Sequence, residues 1–153
     1  MTSIDYTTIF ESFLGYVTDY NLASLSISDS YAIMKDYLRM ALSESYVRRL
    51  FSSIKIDDEI QIINFEMALS LDEEADKDFV ITCLSKWMVY EWLHNQVQNI
   101  VNTHEMFSNK DQKWFSQAAH LAELRALQSD AYKEARSFIG DRGFINNSYL
   151  RGN

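Results

Sequence analysis

The chain has 153 residues, of which 47% are hydrophobic, and its formal net charge is -8 at neutral pH. This length suits one domain that buries roughly 68–70% of the surface of its unfolded chain without disulfide staples. The negative charge disfavours a domain that grips nucleic-acid phosphates. A single cysteine fits a reducing compartment and argues against a secreted, disulfide-rich protein.

Targeting and membrane signals are the next features that the sequence argues against. The amino terminus has no basic segment followed by an apolar run, so we expect no signal peptide. Lys86, Glu91 and His94 interrupt the most apolar stretch, which therefore falls short of the roughly eighteen residues of a membrane span. Cys83 lies in the same stretch, where an inert core thiol is favoured over a nucleophile. We expect a soluble protein without membrane contact.

Charge is distributed unevenly along the chain. Residues 57–78 contain nine acids and only one basic residue, Lys77, whereas residues 136–153 contain three arginines and one aspartate. An acidic middle and a basic end predict two different surfaces, although a solvated acidic loop is the ordinary explanation for the first.

Helix breakers are nearly absent. The chain contains no proline, and no glycine lies between Gly15 and Gly140. This composition permits long uninterrupted helices and disfavours a turn-rich β fold. We therefore predict a mainly α fold in the form of a small helical bundle.

The first predicted helix is short. Ser3 or Asp5 is placed to cap it, and Gly15 lies near its end. Its apolar positions are Tyr6, Ile9, Phe10, Phe13 and Leu14. Residues 16–27 carry mixed signals and are interpreted as a connection.

Ser28 and Asp29 indicate the start of a second helical region. Its inward positions are Tyr31, Met34, Leu38 and Ala41 or Leu42, with Tyr37 beside them. The pattern is interrupted over 43–45 and resumes over 46–51. This predicts either one helix to about Ser52 or two helices joined by a kink.

Residues 60–71 alternate imperfectly between polar and apolar, which predicts a short strand or a packed extended loop. The inward side would hold Ile63, Phe65, Met67, Leu69 and Leu71. Since the chain offers no second convincing strand, we expect this one to pair with another subunit or to remain a loop.

The strongest helical pattern runs from about residue 79 to 103. Its apolar residues recur every three or four positions and are Phe79, Val80, Cys83, Leu84, Trp87, Met88, Val97, Ile100 and Val101. Over 87–93 nearly every direction is apolar, which is typical of a helix covered on several sides. We predict a central helix, capped by Asp76 or Asp78, around which the other helices pack.

Residues 105–116 are predicted to form a loop, and Ser116 then begins a last helix. Its inward positions are Leu121, Leu124, Leu127 or Gln128, Ala131, Ala135 and Phe138. Gly140 predicts its end. We therefore divide the chain into a helical domain, 1–139, and an extended arm, 140–153, whose apolar and basic residues suit docking onto a partner.

The residue types that carry chemistry do not form a recognisable site. His94, His104 and His120 lack the cysteines or carboxylates of a metal set. A buried Glu91 with a raised pKa would suit an acid or base, but a glutamate at a helix edge or in an ion pair is the ordinary interpretation. Glycine-rich phosphate loops and catalytic motifs are absent from the sequence. We expect no enzymatic activity, no cofactor and no metal.

Several stretches follow one another in a distinctive order. They are Tyr-Val-Arg-Arg-Leu-Phe at 46–51, Asp-Asp-Glu at 57–59, Met-Val-Tyr-Glu-Trp-Leu at 88–93, Phe-Ser-Gln-Ala-Ala-His-Leu-Ala-Glu-Leu-Arg at 115–125 and Arg-Gly-Phe-Ile at 142–145 with Tyr149. Their order and spacing resemble the head-to-tail connector proteins, also called adaptor or neck proteins, of long-tailed bacteriophages. The resemblance covers the chain after about the first 25 residues.

The resemblance implies a structural virion protein without enzymatic activity, assembled in the host cytoplasm and located at the head-tail interface. Proteins similar to this form a ring, typically of about twelve subunits, beneath the portal vertex. The other side of the ring receives a neck or tail-completion protein. DNA passes through the bore without specific binding, and the C-terminal segment reaches toward the portal.

The resemblance also suggests roles for two groups of residues. Contacts with the portal are expected from Arg142, Phe144, Ile145, Tyr149, Leu150 and Arg151. A channel lining that repels DNA phosphates, or a contact with a basic neighbouring subunit, is expected from Asp57, Asp58, Glu59, Asp72, Glu73 and Glu74. The alternative function is an acidic helical binding module that inhibits a host nucleic-acid-binding protein by presenting carboxylates.

Overall fold

The computed structural model describes residues 1–17, 22, 24–106 and 111–145, without the side chains of 103–106, 111–117 and 143–145. The elements formed by these residues are, in chain order, β1 (Thr2–Asp5), α1 (Tyr6–Tyr16), α2 (Ile27–Ser43), α3 (Ser45–Arg48), β2 (Phe51–Asp57), β3 (Ile62–Met67), α4 (Glu73–Met106) and α5 (Asp111–Ile145). The predicted mainly α fold with a short strand region is confirmed.

The predicted strand near 60–71 forms as β3, and it has two partners in the same chain. β3 lies between β1 and β2 and is antiparallel to both. The expectation that the chain lacks a partner strand was wrong. β1 has only four residues, too few for a clear alternation, and β2 begins at Phe51, where the apolar spacing still suits a helix.

The inward side of β3 ends earlier than the alternation predicts. Ile63 and Phe65 are fully buried and Met67 nearly so, as predicted. Leu69 and Leu71 follow the strand and are 55% and 51% exposed, so their inward assignment was wrong. Alternation identifies a buried side only while the residues remain paired in the sheet.

Alanine substitutions at Ile63 and Leu71 test where the buried side ends. Ile63→Ala is expected to lower the free energy of unfolding by about 2–5 kcal/mol, because it opens a cavity in the core. Leu71→Ala is expected to change it by less than about 0.5 kcal/mol, since the side chain is largely in solvent. Urea denaturation measures both, and equal losses would show that residues 69–71 are packed as part of the sheet.

The turn between β2 and β3 is built by its own polar groups. The backbone N–H groups of Glu59 and Ile60 donate to Asp57 Oδ1 at 3.1 and 3.2 Å, an arrangement typical of an aspartate turn. Gln61 has a φ of 57°, and its carbonyl accepts a hydrogen bond from the Tyr6 N–H at 2.9 Å. The acidic turn is thereby attached to the start of α1.

The helices before the sheet follow the predicted pattern with small shifts. The inward residues of α1 are buried except Leu14, which is 46% exposed. α2 begins at Ile27, because Ser26 is its cap and accepts a hydrogen bond from the Asp29 N–H at 3.2 Å. Glu44 is extended and separates α2 from the single turn of α3. The alternative of two helices is confirmed, but the second ends at Arg48, and the helical prediction up to about Ser52 was wrong because β2 begins at Phe51.

α4 is the central helix, and it is longer than predicted. It packs against α1, α2, α5 and β1, with Trp87 and Met88 completely buried. Its cap is neither Asp76 nor Asp78: Asp72 Oδ1 accepts a hydrogen bond from the Ala75 N–H at 2.8 Å. The first turns of the helix therefore consist of the mostly polar residues 73–78. The spacing of apolar residues does not reveal such turns.

α5 was predicted too short at both ends. Residues 105 and 106 belong to α4 and residues 111–116 to α5, so most of the predicted loop is helical. The helix also continues through Gly140 to Ile145, which places the predicted boundary at 139/140 inside it. Glycine costs a helix about 1 kcal/mol relative to alanine. The next turn contains the buried Arg142, which forms an ion pair with Asp76 of α4.

The inward seam of α5 agrees with the prediction. Leu121, Leu124 and Ala135 are buried. Of the two candidates in the middle, Leu127 is exposed and Gln128 faces α4, with its Nε2 3.0 Å from His94 Nδ1. A small second core forms where α4 and α5 extend past the sheet, and its buried residues are Leu93, Val97, Leu121 and Leu124.

Candidate interaction surfaces

Asp58, in the acidic turn, is held by three side chains from α1 and α2. Tyr6 Oη donates to Asp58 Oδ1 at 2.6 Å, Lys35 Nζ lies 3.5 Å from Oδ2, and Arg39 also binds Oδ2. The hydrogen bond from Tyr6, and then Arg39 and Lys35, hold the pKa of the Asp58 carboxyl below its ordinary value. Burial, and then this hydrogen bond, raise the pKa of the Tyr6 hydroxyl. Asp58 thus ties the helices to the sheet.

The remaining predicted acids form a separate group at the start of α4. Asp72 caps the helix, Glu73 Oε1 lies 3.2 Å from Lys77 Nζ, and Glu74 lies in the first turn, where the helix dipole favours negative charge. β3 separates this group from the turn at 57–59 by roughly 17–20 Å. Residues predicted as one channel or subunit surface therefore occupy two places. Their role in a channel or between subunits stays a prediction.

Arg142 and Asp76 form a buried ion pair between α5 and α4. Both side chains are less than 10% exposed. The Asp76 carboxylate also accepts hydrogen bonds from Ser70 Oγ at 2.6 Å and the Leu71 N–H at 3.2 Å. Burial raises the pKa of the Asp76 carboxyl, but these bonds and Arg142 outweigh it, and the pKa lies below its ordinary value.

The guanidinium of Arg142 has further contacts. Its Nη2 donates to the Leu69 carbonyl at 3.2 Å, and its Cζ lies 4.3 Å from the centre of the Phe79 ring. Arg142 was predicted to lie in an extended arm, and this is wrong because the residue lies in α5 and its charge is paired inside the fold. Its contact with the portal stays a prediction. Phe144 and Ile145 lie in α5, although their side chains are outside the described residues, as are Tyr149, Leu150 and Arg151.

A cleft of about 370 Å³ lies between α2 and α4 and includes Glu91. Ile33 and Met40 of α2 line one side, and polar residues of α4 line the other. Asn95 Nδ2 donates to Tyr37 Oη across it at 3.0 Å. Burial, and then the charge of Glu44, raise the pKa of the Glu91 carboxyl. Asn95 and Tyr37 thereby hold each other in place beside Glu91.

Glu91→Gln is expected to stabilise the protein at neutral pH. A raised pKa in the folded state means that the charged carboxylate opposes folding once the pH exceeds the ordinary carboxyl value. The gain should disappear below about pH 4, where glutamate is protonated in both states. Urea denaturation at the two pH values measures this, beside the exposed control Glu11→Gln. A gain at acidic pH as large as at neutral pH would contradict burial as the cause.

The other residues considered for chemistry are the single cysteine and the three histidines. Cys83 is buried, which raises the pKa of its thiol to about 12 and leaves it protonated. His94 contacts Gln128, His120 is exposed, and the side chain of His104 is outside the described residues. Within the described part of the chain, no group of three or more metal-binding side chains occurs. No helix in the same part is long and apolar enough to cross a membrane.

Sequence analysis missed an aromatic cluster that joins α3, α4 and α5. The buried Trp87 stacks on Tyr46, with ring centroids 6.4 Å apart, and meets Tyr90 and Tyr132 edge-on at 5.9 and 5.6 Å. Arg136 Cζ lies 4.3 Å from the centre of the Tyr46 ring. The available signal was the spacing of Tyr132 and Arg136, which puts both on one side of a helix.

Comparisons of the chain with protein-family models, with curated proteins and with solved structures each found no match.

Proposed function

We propose that this protein is a structural subunit of the ring that joins the portal of a long-tailed bacteriophage to its neck or tail, and that it catalyses no reaction there. The observation that carries the proposal is the ordered set of stretches at 46–51, 88–93, 115–125 and 142–145. Residues 46–48, 88–93, 115–125 and 142–145 lie on α3, α4 and α5, whereas 49–51 lead into β2 and the stretch at 57–59 lies at the turn after β2. α3, α4 and α5 pack together through Tyr46, Trp87 and Tyr132. Most of the pattern therefore lies on helices that contact one another, which supports a shared architecture.

The dimensions of α4 and α5 suit a ring subunit. They have 34 and 35 residues, and each is therefore roughly 50 Å long at 1.5 Å per residue. Their second core continues the packing past the sheet. A long helix pair offers neighbouring subunits an extended contact surface and leaves both ends for other virion proteins.

The contacts that we propose with the portal come from the part of the chain after Arg142. The candidates are Phe144, Ile145, Tyr149, Leu150 and Arg151, which combine apolar anchors with a positive charge. On the channel side, the net charge of -8 and the exposed Glu59 and Glu74 would repel DNA phosphates and let a duplex pass without being held.

The proposal is tested by an affinity pull-down from infected cells, with a tag on the amino terminus of the full chain and of two variants. One variant is truncated after Ile145. It keeps Arg142 and all of α5, so a lost partner cannot be attributed to the broken ion pair. The other replaces residues 146–153 by a Gly-Ser segment of equal length, as a matched control for chain length.

We expect the full chain to recover the portal and the tail-completion protein. Both variants should recover much less portal while keeping the tail-side partner. Recovery of a single host nucleic-acid enzyme, with no particle protein, would contradict the connector proposal. It would favour the acidic inhibitor, which the internal pairing of Asp58 and Glu73 otherwise disfavours.

A further inference from the structure

The exposed side of α5 carries carboxylates along one flank and guanidinium groups along the other. Two triplets form this pattern, Glu-Leu-Arg at 123–125 and Glu-Ala-Arg at 134–136. The middle residue of each, Leu124 or Ala135, is buried. Neighbouring helix residues are rotated by about 100°. The glutamate and the arginine of one triplet therefore lie on opposite sides of its buried residue.

The two triplets share the same two flanks. Glu134 follows Glu123 by eleven residues, which is three turns of helix to within about 20° and a rise of roughly 16 Å. Each flank therefore presents like charges at these two heights, and the exposed Asp130 and Asp141 lie on the glutamate side as well. We call the two flanks the Glu flank (Glu123, Glu134) and the Arg flank (Arg125, Arg136).

All four charged side chains are exposed. Glu134 remains 67% exposed although it pairs with Lys86 of α4. Arg136 Cζ lies 4.3 and 5.7 Å from the centres of the Tyr46 and Tyr132 rings, and the side chain is still exposed. The ion pairs among described residues include neither member of the Arg flank.

α5 is also placed at the side of the fold. It packs mainly on α4 and touches the short α3. α1 and α2 also pack on α4. Among residues 118–142, whose side chains the structure describes, most positions turned away from α4 are exposed. The two flanks are complementary in charge, so one neighbouring α5 can pair with the Glu flank and a second neighbour with the Arg flank.

We propose that neighbouring copies of this chain pack side by side through α5, with the Arg flank of one copy against the Glu flank of the next. The inference rests on the proposed ring and names the contact between its subunits. Each copy uses two different flanks, so the contact is head-to-tail in charge, and it closes into a ring when the rotation from one copy to the next divides a full turn evenly.

The positions of the charges along α5 fit this arrangement. When the ring axis is parallel to α5, the rotation from one copy to the next does not shift the copies along the helix. The glutamate and arginine of one triplet differ by only two residues, or roughly 3 Å of rise. Both triplets can therefore pair at once, and arginine can bind a carboxylate through two parallel hydrogen bonds.

The test reverses one flank at a time in the full chain. Arg125→Glu makes both flanks acidic at that height, and Glu123→Arg makes both basic. Self-association is measured by sedimentation equilibrium at about 0.01 M salt, where the Debye length is about 30 Å, and at about 1 M, where it is about 3 Å. Lys55→Glu is the matched control, because it makes the same change of charge at an exposed position on β2.

Each flank variant is expected to self-associate at least about tenfold more weakly than the wild type, which should itself weaken at high salt. An equimolar mixture of the two variants should regain association, because acidic copies can alternate with basic ones. The two substitutions in one chain should regain it as well. Lys55→Glu should behave as the wild type.

Three results would overturn the α5 contact. They are a wild type that stays monomeric at low salt, flank variants that associate like the wild type, and a mixture that regains nothing. None of these depends on the pull-down. A failed pull-down with a successful charge swap would instead contradict the connector function and retain the contact between copies.

Discussion

Asp76→Ala is expected to lower the free energy of unfolding by about 3–5 kcal/mol, because it leaves the Arg142 guanidinium buried without its counter-charge. The same change removes the acceptor of hydrogen bonds from Ser70 and from the backbone of Leu71. In a domain of this size the loss corresponds to a fall in Tm of about 6–20 °C. Urea and thermal denaturation measure it.

Two further variants distinguish the effect of breaking the buried pair on stability from the effect of removing any charge. Glu73→Ala removes the exposed pair with Lys77 at the same end of α4, and should cost less than about 0.5 kcal/mol. The double change Asp76→Leu with Arg142→Met should cost less than Asp76→Ala alone, because no buried charge remains unpaired. Equal losses in the Glu73 and Asp76 variants would contradict the burial of the pair.

The same carboxylate predicts a pH dependence of stability. The pKa of Asp76 is lowered in the folded state, so its contribution is complete above the ordinary aspartate pKa and is lost as the pH falls through the folded value. The wild type should therefore lose stability in acid more steeply than Asp76→Ala does.

Trp87→Ala is expected to cost about 3–5 kcal/mol, because it removes the largest fully buried side chain of the core. The ring lies where Tyr46 of α3, Tyr90 of α4 and Tyr132 of α5 meet. We expect the near-UV circular dichroism to weaken as well, since these rings lose their fixed neighbour. Urea denaturation gives the free energy.

Trp87→Phe and Trp92→Ala are the matched comparisons. Trp87 Nε1 has no hydrogen-bond partner among the described residues, so Trp87→Phe loses volume but no bond and should cost about 1–2 kcal/mol. Trp92 is only partly buried, so Trp92→Ala should also cost about 1–2 kcal/mol. A loss for Trp92→Ala as large as for Trp87→Ala would contradict the position of Trp87 as the meeting point of the three helices.

The Asp76–Arg142 pair and the cluster around Trp87 both matter for the proposed contact between copies of the chain. The Asp76–Arg142 pair holds α5 near its C-terminal end, and the Trp87–Tyr132 contact holds its middle. These two contacts set the rotation of α5 about its own axis. They therefore decide which way the Glu flank and the Arg flank face.

The sequence by itself determined the helical fold and most of the core. With no proline and few glycines, helices continue wherever apolar residues recur every three or four positions. Phe13, Leu38, Leu84 and Trp87 were assigned inward on this ground, and all are fully buried. A long amphipathic pattern predicts both the helix and its buried side, because both depend on residues that are close together in the sequence.

Only the tertiary structure decided the features that depend on residues far apart in the chain. The strand near 60–71 found its partners at Thr2–Asp5 and Phe51–Asp57, and neither has a clear pattern of its own. α5 continues past Gly140 to Arg142, whose partner Asp76 lies on α4, and the pattern along a single helix does not reveal such a partner. Likewise, the acids at 57–59 and 72–74 were separated by β3, although one segment of the sequence contains both groups.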